Sequence, residues 1–287
     1  MKVLLTGVTG QIGRELQRTL SRLGTVVPAD RGMLDLADRD SIVKAVRAIK
    51  PSLIVNPAAF TAVDLAESQP GVAAQVNSVA PGILAAEAKR LGAGLIHFST
   101  DYVFDGEKPD PYVETDAPHP LSVYGRTKLA GEQAIAEAGG RFLILRTSWV
   151  YSPRGKNFLR TILGLAQDRP EIRVVNDQRG APTSAACIAD AVADIIAHAT
   201  APGSDWPGGI YHLSCSGETT WFGFAAAILE KRTGPRPSLV PIPTSEYPTP
   251  ARRPKNSLLS NRKLADAFGI RMPDWRVALE ACLRQIP

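Results

Sequence analysis

Three glycines at three-residue intervals, Gly7, Gly10 and Gly13, follow directly on a short apolar run at residues 3–5 and lead into an amphipathic stretch at 12–23. A chain that passes from strand to helix through G-x-x-G-x-x-G is confined to a tight turn, because only glycine tolerates the backbone conformations and close approaches it needs. Such a turn also lets the backbone meet an anion, whose charge then sits at the N-terminus of the helix. The pattern continues through the first half. Apolar runs at 26–27, 53–55, 95–98 and 142–145 alternate with segments at 41–49, 72–91 and 127–138, whose apolar residues recur every three or four positions. Strands alternating with helices at this spacing predict an α/β fold: a doubly wound, parallel, Rossmann-type sheet covered on both faces.

In that fold a dinucleotide lies across the carboxyl ends of the strands. Gly7, Gly10, Gln11, Ile12 and Gly13 would hold its pyrophosphate. Asp30, about 20 residues further on, ends the second strand where an acid binds the adenosine ribose of NAD, and Arg31 follows where a cation accommodates the extra phosphate of NADP. The pair predicts that both NADH and NADPH serve. The small residues Asn56-Pro57-Ala58-Ala59 close the third apolar run and suit a ligand passing nearby.

Tyr124 and Lys128 stand four residues apart, which on a helix puts them on one face. A free tyrosine has a pKa of ~10, and an ammonium at ~4 Å with an effective dielectric of ~20 contributes about 4 kcal/mol toward lowering it. This is the scale that acid catalysis near neutrality needs. Thr100, at the end of the fourth predicted strand, adds a hydroxyl. Thr100, Tyr124 and Lys128 in this order, downstream of the glycine loop, form a hydroxyl, tyrosine and lysine triad.

These motifs, with Ser99-Thr100-Asp101-Tyr102-Val103-Phe104, the run from Tyr124 to Glu132, Arg146-Thr147-Ser148-Trp149-Val150-Tyr151, Asn176-Asp177-Gln178, Gly180-Ala181-Pro182-Thr183 and the run from Pro248 to Pro254, resemble the dTDP-4-dehydrorhamnose reductase family of extended short-chain dehydrogenases. The likeness spans essentially the whole chain. It implies NAD(P)H-dependent reduction of the C4 keto group of dTDP-4-dehydro-6-deoxy-L-mannose to dTDP-L-rhamnose. By the same resemblance Asp35, Leu36, Ala59, Phe60, Thr61 and Tyr102 join the cofactor contacts, Thr100, Asp101 and Trp149 face the sugar, Tyr124 is the proton donor, and Lys128 both holds the cofactor and tunes Tyr124. Arg252 and Arg253, on a proline-braced loop, are the expected ligands of a diphosphate. Related 4,6-dehydratases carry Glu after Thr-Asp, where this chain has Tyr102. Two alternatives stay open: another nucleotide-sugar ketoreductase or epimerase, and a non-catalytic NADP-binding regulatory subunit.

Some relatives bridge a homodimer with a metal, and Glu15 matches one ligand. The Ser184-Ala185-Ala186 turn supplies no second carboxylate, which puts a metal-bridged dimer in doubt and leaves Mg²⁺ as a cofactor, and a homodimer, as open alternatives. His97, inside an apolar strand, reads as a core histidine. The formal charge of +5 comes from Lys and Arg dispersed among acids, which fits an anionic small molecule and gives no nucleic-acid-binding run. No stretch reaches the ~20 apolar residues of a membrane span, and three unpaired, widely spaced cysteines read as the reduced thiols of a cytoplasmic protein. Residues 1–149 are expected to form the dinucleotide domain, and 150–287 mainly a substrate lobe interleaved with the last sheet elements. Within the latter, 157–166, 185–199 and a segment capped by Thr220 read as helices, 172–175 and 210–213 as strands, and 235–254 as an ordered, proline-rich loop.

Overall fold

The computed structural model describes residues 1–201, 203–204, 206–231 and 236–286. The chain runs β1 (Lys2–Leu5), α1 (Gln11–Leu20), β2 (Thr25–Pro28), α2 (Arg39–Ile49), β3 (Leu53–Asn56), α3 (Val63–Ser68), α4 (Pro70–Ala74), a π-turn (Gln75–Val79), α5 (Ala80–Leu91), β4 (Gly94–Thr100), α6 (Val123–Ala138) and β5 (Arg141–Thr147). It continues through β6 (Val150–Tyr151), α7 (Phe158–Asp168), β7 (Glu171–Val175), β8 (Arg179–Gly180), β9 (Thr183–Ser184), α8 (Ala185–Ala199), β10 (Gly209–His212), β11 (Thr219–Thr220), α9 (Trp221–Glu230), β12 (Ser238–Ile242), α10 (Arg262–Phe268) and α11 (Trp275–Leu283).

Six parallel strands make the main sheet, in the order β10-β5-β4-β3-β1-β2. Alternate strand residues feed two apolar layers. Val3, Leu5, Val55, Ile96, Phe98 and Leu145 pack with Leu16 of α1 and Ile188 and Val192 of α8. Leu4, Ile54, Leu95 and Ile144 pack with Ile42 of α2, Leu84 of α5 and Ile135 of α6. Both faces are therefore dry, which is why the strands read as continuous apolar runs. A third cluster, around Tyr151, Ile162, Val174, Phe224, Ile228 and Trp275, forms the lobe beyond the carboxyl edge. The chain re-enters the sheet after the first lobe elements, since α8 packs with α1 in one layer and β10 pairs with β5.

Three expectations need correction. The helix at 72–91 is α4 and α5 joined by a π-turn, whose extra residue brings Asn77 round to bond both backbone groups of Phe60 (2.8 and 3.1 Å). The helix expected at 127–138 begins at Val123, because Ser122 caps it by accepting from Gly125 N at 3.1 Å; Tyr124 thus lies inside the helix. The segment expected as a loop at 235–254 contains β12, which pairs with β7 in parallel from Ser238 to Ile242 despite Pro241, and Pro235 itself lies outside the described residues. An edge strand tolerates the missing N–H. Helices α3, α10 and α11 had no expectation.

Candidate active site

A cleft of about 710 Å³ runs over the carboxyl ends of β1, β3, β4 and β5. Its floor is the glycine turn. Gly7 has φ +58°, and a Cβ there would stand 2.8 Å from Ala58 N; a Cβ at Gly13 would stand 2.1 Å from Gly7 O. These two glycines are thus required by the turn's own packing, and with Gly10, Gln11 and Ile12 they leave backbone open along the cleft. Asp30, Arg31, Asp35, Leu36, Ala59, Thr61 and Tyr102 also line it. Phe60 is not part of this lining: it packs on the apolar layer beneath, with Asn77 holding its backbone. A dinucleotide fits what remains, a long groove with a glycine cradle at one end and unpartnered buried hydroxyls, Ser99 Oγ and Thr147 Oγ1, at the other.

Sequence reading overlooked the segment that closes this groove. Arg154, Lys156 and Asn157 line it, and Gln11 Oε1 accepts from Asn157 Nδ2 (2.8 Å) and Ser152 Oγ (3.0 Å), joining the glycine turn to the lobe. Two cations next to the Asn157 cap were the available signal.

Thr100, Asp101, Tyr124, Lys128 and Trp149 come together on the same wall. Thr100 Oγ1 donates to Asp101 Oδ1 at 3.0 Å and accepts from Tyr102 N, and it lowers the pKa of the neighbouring Tyr124 hydroxyl. The second oxygen of Asp101, Oδ2, is buried without a partner. Burial pushes Asp101 up to about 6, only partly offset by bonds from Ser257 and Thr100. Burial outweighs this and pushes Tyr124 up to about 12, helped by the Asp101 charge.

The lysine is the main departure from expectation. Lys128 Nζ donates to Phe98 O at 2.6 Å and lies 3.1 Å from His97 Nε2, and it does not hydrogen-bond Tyr124. Burial brings Lys128 down to about 8, opposed by the Glu132 charge. With the ammonium turned to Phe98 and His97, burial leaves Tyr124 a protonated acid and not a partly ionised one.

Trp149 has φ +47°, and its ring stacks on Trp221 at 3.6 Å. That left-handed backbone costs a non-glycine residue about 1–3 kcal/mol. The stack divides the groove from a second cavity of about 270 Å³, lined by Phe158, Ile162, Val174, Gln178, Trp221 and Arg253 among others. Trp221 was not singled out by sequence, and Gly180, on which the Trp149 ring rests, was noted only as part of the Gly180-Ala181-Pro182-Thr183 motif. Arg253 borders the second cavity, but its fork is closed by Asp64 (Nη1–Oδ1 3.0 Å, Nη2–Oδ2 2.7 Å). Arg252 is exposed and lines neither cavity. Glu15 is paired with Arg18, which also holds Asp190, and among the described residues no group of three or more metal-ligating side chains is gathered.

Comparison with known proteins adds a second line. The family model described as RmlD substrate binding domain matches residues 1–287. A dTDP-4-dehydrorhamnose reductase of Burkholderia thailandensis is 50% identical over 296 residues, covering 100% of this chain and 99% of that protein. One from Escherichia coli K12 is 45% identical, covering 100% and 98%. Among solved structures, the Bacillus anthracis dTDP-4-dehydrorhamnose reductase in complex with NADP superposes with a TM-score of 0.92 at 34% identity, covering 99% of each chain.

Proposed function

The chain belongs to the dTDP-4-dehydrorhamnose reductase family, and we propose that Thr100, Tyr124 and Lys128 carry its reaction in the cleft above β4 and β5. It is an NAD(P)H-dependent oxidoreductase that reduces the C4 keto group of dTDP-4-dehydro-6-deoxy-L-mannose to dTDP-L-rhamnose. The observation that carries the residue assignment is the wall itself: the Tyr124 phenol, the Thr100 hydroxyl and the Lys128 ammonium all line one groove long enough for a dinucleotide.

Bound NAD(P)H supplies the hydride. Tyr124, held protonated by burial, gives its proton to the oxygen of the ketone as negative charge develops there, and Thr100 bonds the same oxygen. Lys128 is charged at neutral pH and stands on the same helical face, where it holds the ribose hydroxyls and lowers the cost of the phenolate left on Tyr124. Asp101 Oδ2, lacking a partner in the protein, accepts from a sugar hydroxyl. Trp149 orients the ring, and the cavity behind Trp221 takes the thymidine, whose base is aromatic like its lining. Gly7, Gly10, Gln11, Ile12 and Gly13 hold the pyrophosphate, Asp30 the adenosine ribose, and Arg31, exposed at the rim, the extra phosphate of NADPH.

Residues 1–149 act as the dinucleotide part and 150–287 mainly as the substrate lobe. No helix among the described residues is long and apolar enough to cross a membrane; a cytoplasmic enzyme meeting a small nucleotide sugar, with neither membrane nor nucleic acid involved, fits best. Purified protein given NADPH and the 4-keto sugar nucleotide is expected to consume the two in equal amounts. Tyr124→Phe, which keeps the ring and removes the proton, is expected to lower kcat by 10²-fold or more with NADPH affinity little changed. A Tyr124→Phe enzyme turning over at the normal rate would refute the assignment, and NADPH binding without any reduction would favour a regulatory subunit.

A further inference from the structure

A row of polar side chains crosses the ends of three strands and finishes on the catalytic lysine. Leu5 pairs with Val55 and Asn56 with His97, so Thr6, Asn56 and His97 stand side by side across β1, β3 and β4. All three are buried. Thr6 Oγ1 donates to Asn56 Oδ1 at 2.5 Å, Asn56 Nδ2 lies 3.0 Å from His97 Nδ1, and His97 Nε2 lies 3.1 Å from Lys128 Nζ.

The chemistry of these groups fixes their hydrogens. An ammonium has three donors and no acceptor, so His97 Nε2 has to accept. Nδ1 then carries the proton of the neutral ring. This requires the Asn56 amide to be turned over, its carbonyl oxygen facing Nδ1–H and its NH₂ facing the Thr6 hydroxyl, an exchange of two atoms alike in size that lengthens the Thr6 contact to an ordinary N–H···O distance. The other tautomer would aim an N–H at the ammonium.

We propose that His97 is a positioning residue for Lys128: with the Phe98 carbonyl it fixes the ammonium below the cleft, and the Thr6–Asn56 pair locks the imidazole in the one tautomer that can do so. Burial and the lysine charge hold His97 well below the usual histidine range, so the ring stays neutral and its acceptor persists across working pH. The titratable and charged groups facing this part of the site are Tyr124 and Glu132 on the lysine's own helix, His97 on β4, Asp101 and Tyr102 on the turn after it, and Arg146 on β5, whose charge Glu132 holds at 2.9 and 2.6 Å. Among them His97 is the one bonded to the ammonium.

The inference rests on Lys128 serving the reaction, and its test has readouts with and without turnover. His97→Leu removes the acceptor, whereas His97→Gln restores one near the Nε2 position without a titrating ring. We expect His97→Leu to lower kcat at least about tenfold, weaken NADPH binding severalfold, and move the basic limb of the kcat and NADPH-affinity profiles down by about one pH unit, because losing an acceptor disfavours the charged lysine. His97→Gln should return the limb to the wild-type position and recover most of kcat. In wild-type protein, ¹⁵N chemical shifts should show the Nδ1–H tautomer at neutral pH. An unshifted limb in folded His97→Leu, whatever its Tm, or an Nε2–H tautomer in wild type would overturn the proposal. If His97→Leu does not fold, the tautomer and the His97→Gln profile decide. A wild-type protein that binds NADPH but reduces no 4-keto sugar nucleotide would defeat the functional reading alone, leaving the tautomer and the affinity profile to judge His97.

Discussion

Asp101 shows how a single residue can serve the site at the expense of the fold. Its carboxylate is buried with one oxygen unpartnered, and its pKa stands near 6 against a usual carboxylate value. A raised folded-state pKa means that the native state binds the proton more tightly than the unfolded chain. Stability is therefore lost as pH rises from the unfolded value, ~3.9, through about 6. Asp101→Asn keeps an acceptor for Thr100 and never has to bury a charge. Thermal denaturation without ligands should find the variant more stable than wild type at pH 8, by roughly 2–3 kcal/mol, with the gap closing below pH 4. An equal gap at both pH values would show that shape and not charge sets the difference.

At the scale of elements, two contacts hold pieces of the scaffold in register. Glu87 of α5 accepts from Arg47 of α2 at 3.0 and 2.8 Å and from Arg90 at 2.9 Å, and the Arg47 bonds, ahead of those from Arg90, bring its pKa down to about 2. A depressed carboxylate stabilises above its unfolded pKa and loses that contribution as pH falls toward the folded one. Glu87→Gln should lower Tm by no more than about 2–4 °C at neutral pH, since both arginines are half exposed. The difference should fade between pH 5 and roughly 2, and a Tm difference that persists at pH 2.5 would point to packing instead. The second contact is β8 against Trp149. A Cβ at Gly180 would stand 2.4 Å from Trp149 Cε2, so the indole can stack on Trp221 only over a glycine. Gly180→Ala should displace the ring, change the tryptophan fluorescence of the folded protein, and cut kcat at least about tenfold, because a mobile sugar reaches the hydride geometry less often. Normal kcat with an altered emission spectrum would remove Trp149 from the orienting role.

Across the whole molecule, Arg253 ties the loop after β12 to Asp64 on α3, bridging the lobe and the sheet beside the second cavity. Asp64 occupies this fork, yet the guanidinium borders the second cavity, within reach of a diphosphate lying there. If it binds that group, Arg253→Ala should raise the sugar-nucleotide KM at least about tenfold, a loss of roughly 1.5–3 kcal/mol, whereas Asp64→Asn, which frees the fork, should leave KM unchanged or lower it. If the pair only braces the lobe, the two variants should raise KM alike. Arg252→Ala should change KM less than about twofold, as befits an exposed charge outside both cavities.

What the chain determined by itself was set by local rules. The glycine spacing, the apolar runs and the Tyr124–Lys128 interval each act over a few residues, through sterics, burial of two sheet faces and helical periodicity, so the parallel sheet, the glycine turn and the gathering of Thr100, Tyr124 and Lys128 along one cleft were legible. What the tertiary structure decided involves partners far apart in sequence. Lys128 turns to His97 and Phe98 because β4 passes beneath α6; Arg253 closes on Asp64 because the lobe folds back onto α3; Phe60 turns inward because the π-turn delivers Asn77 to its backbone. β12 forms because β7 offers it an open edge, overriding the prolines around it. In each case a buried donor, acceptor or charge takes the partner that the packed fold brings within reach, and that choice has no signature in the spacing of the residues.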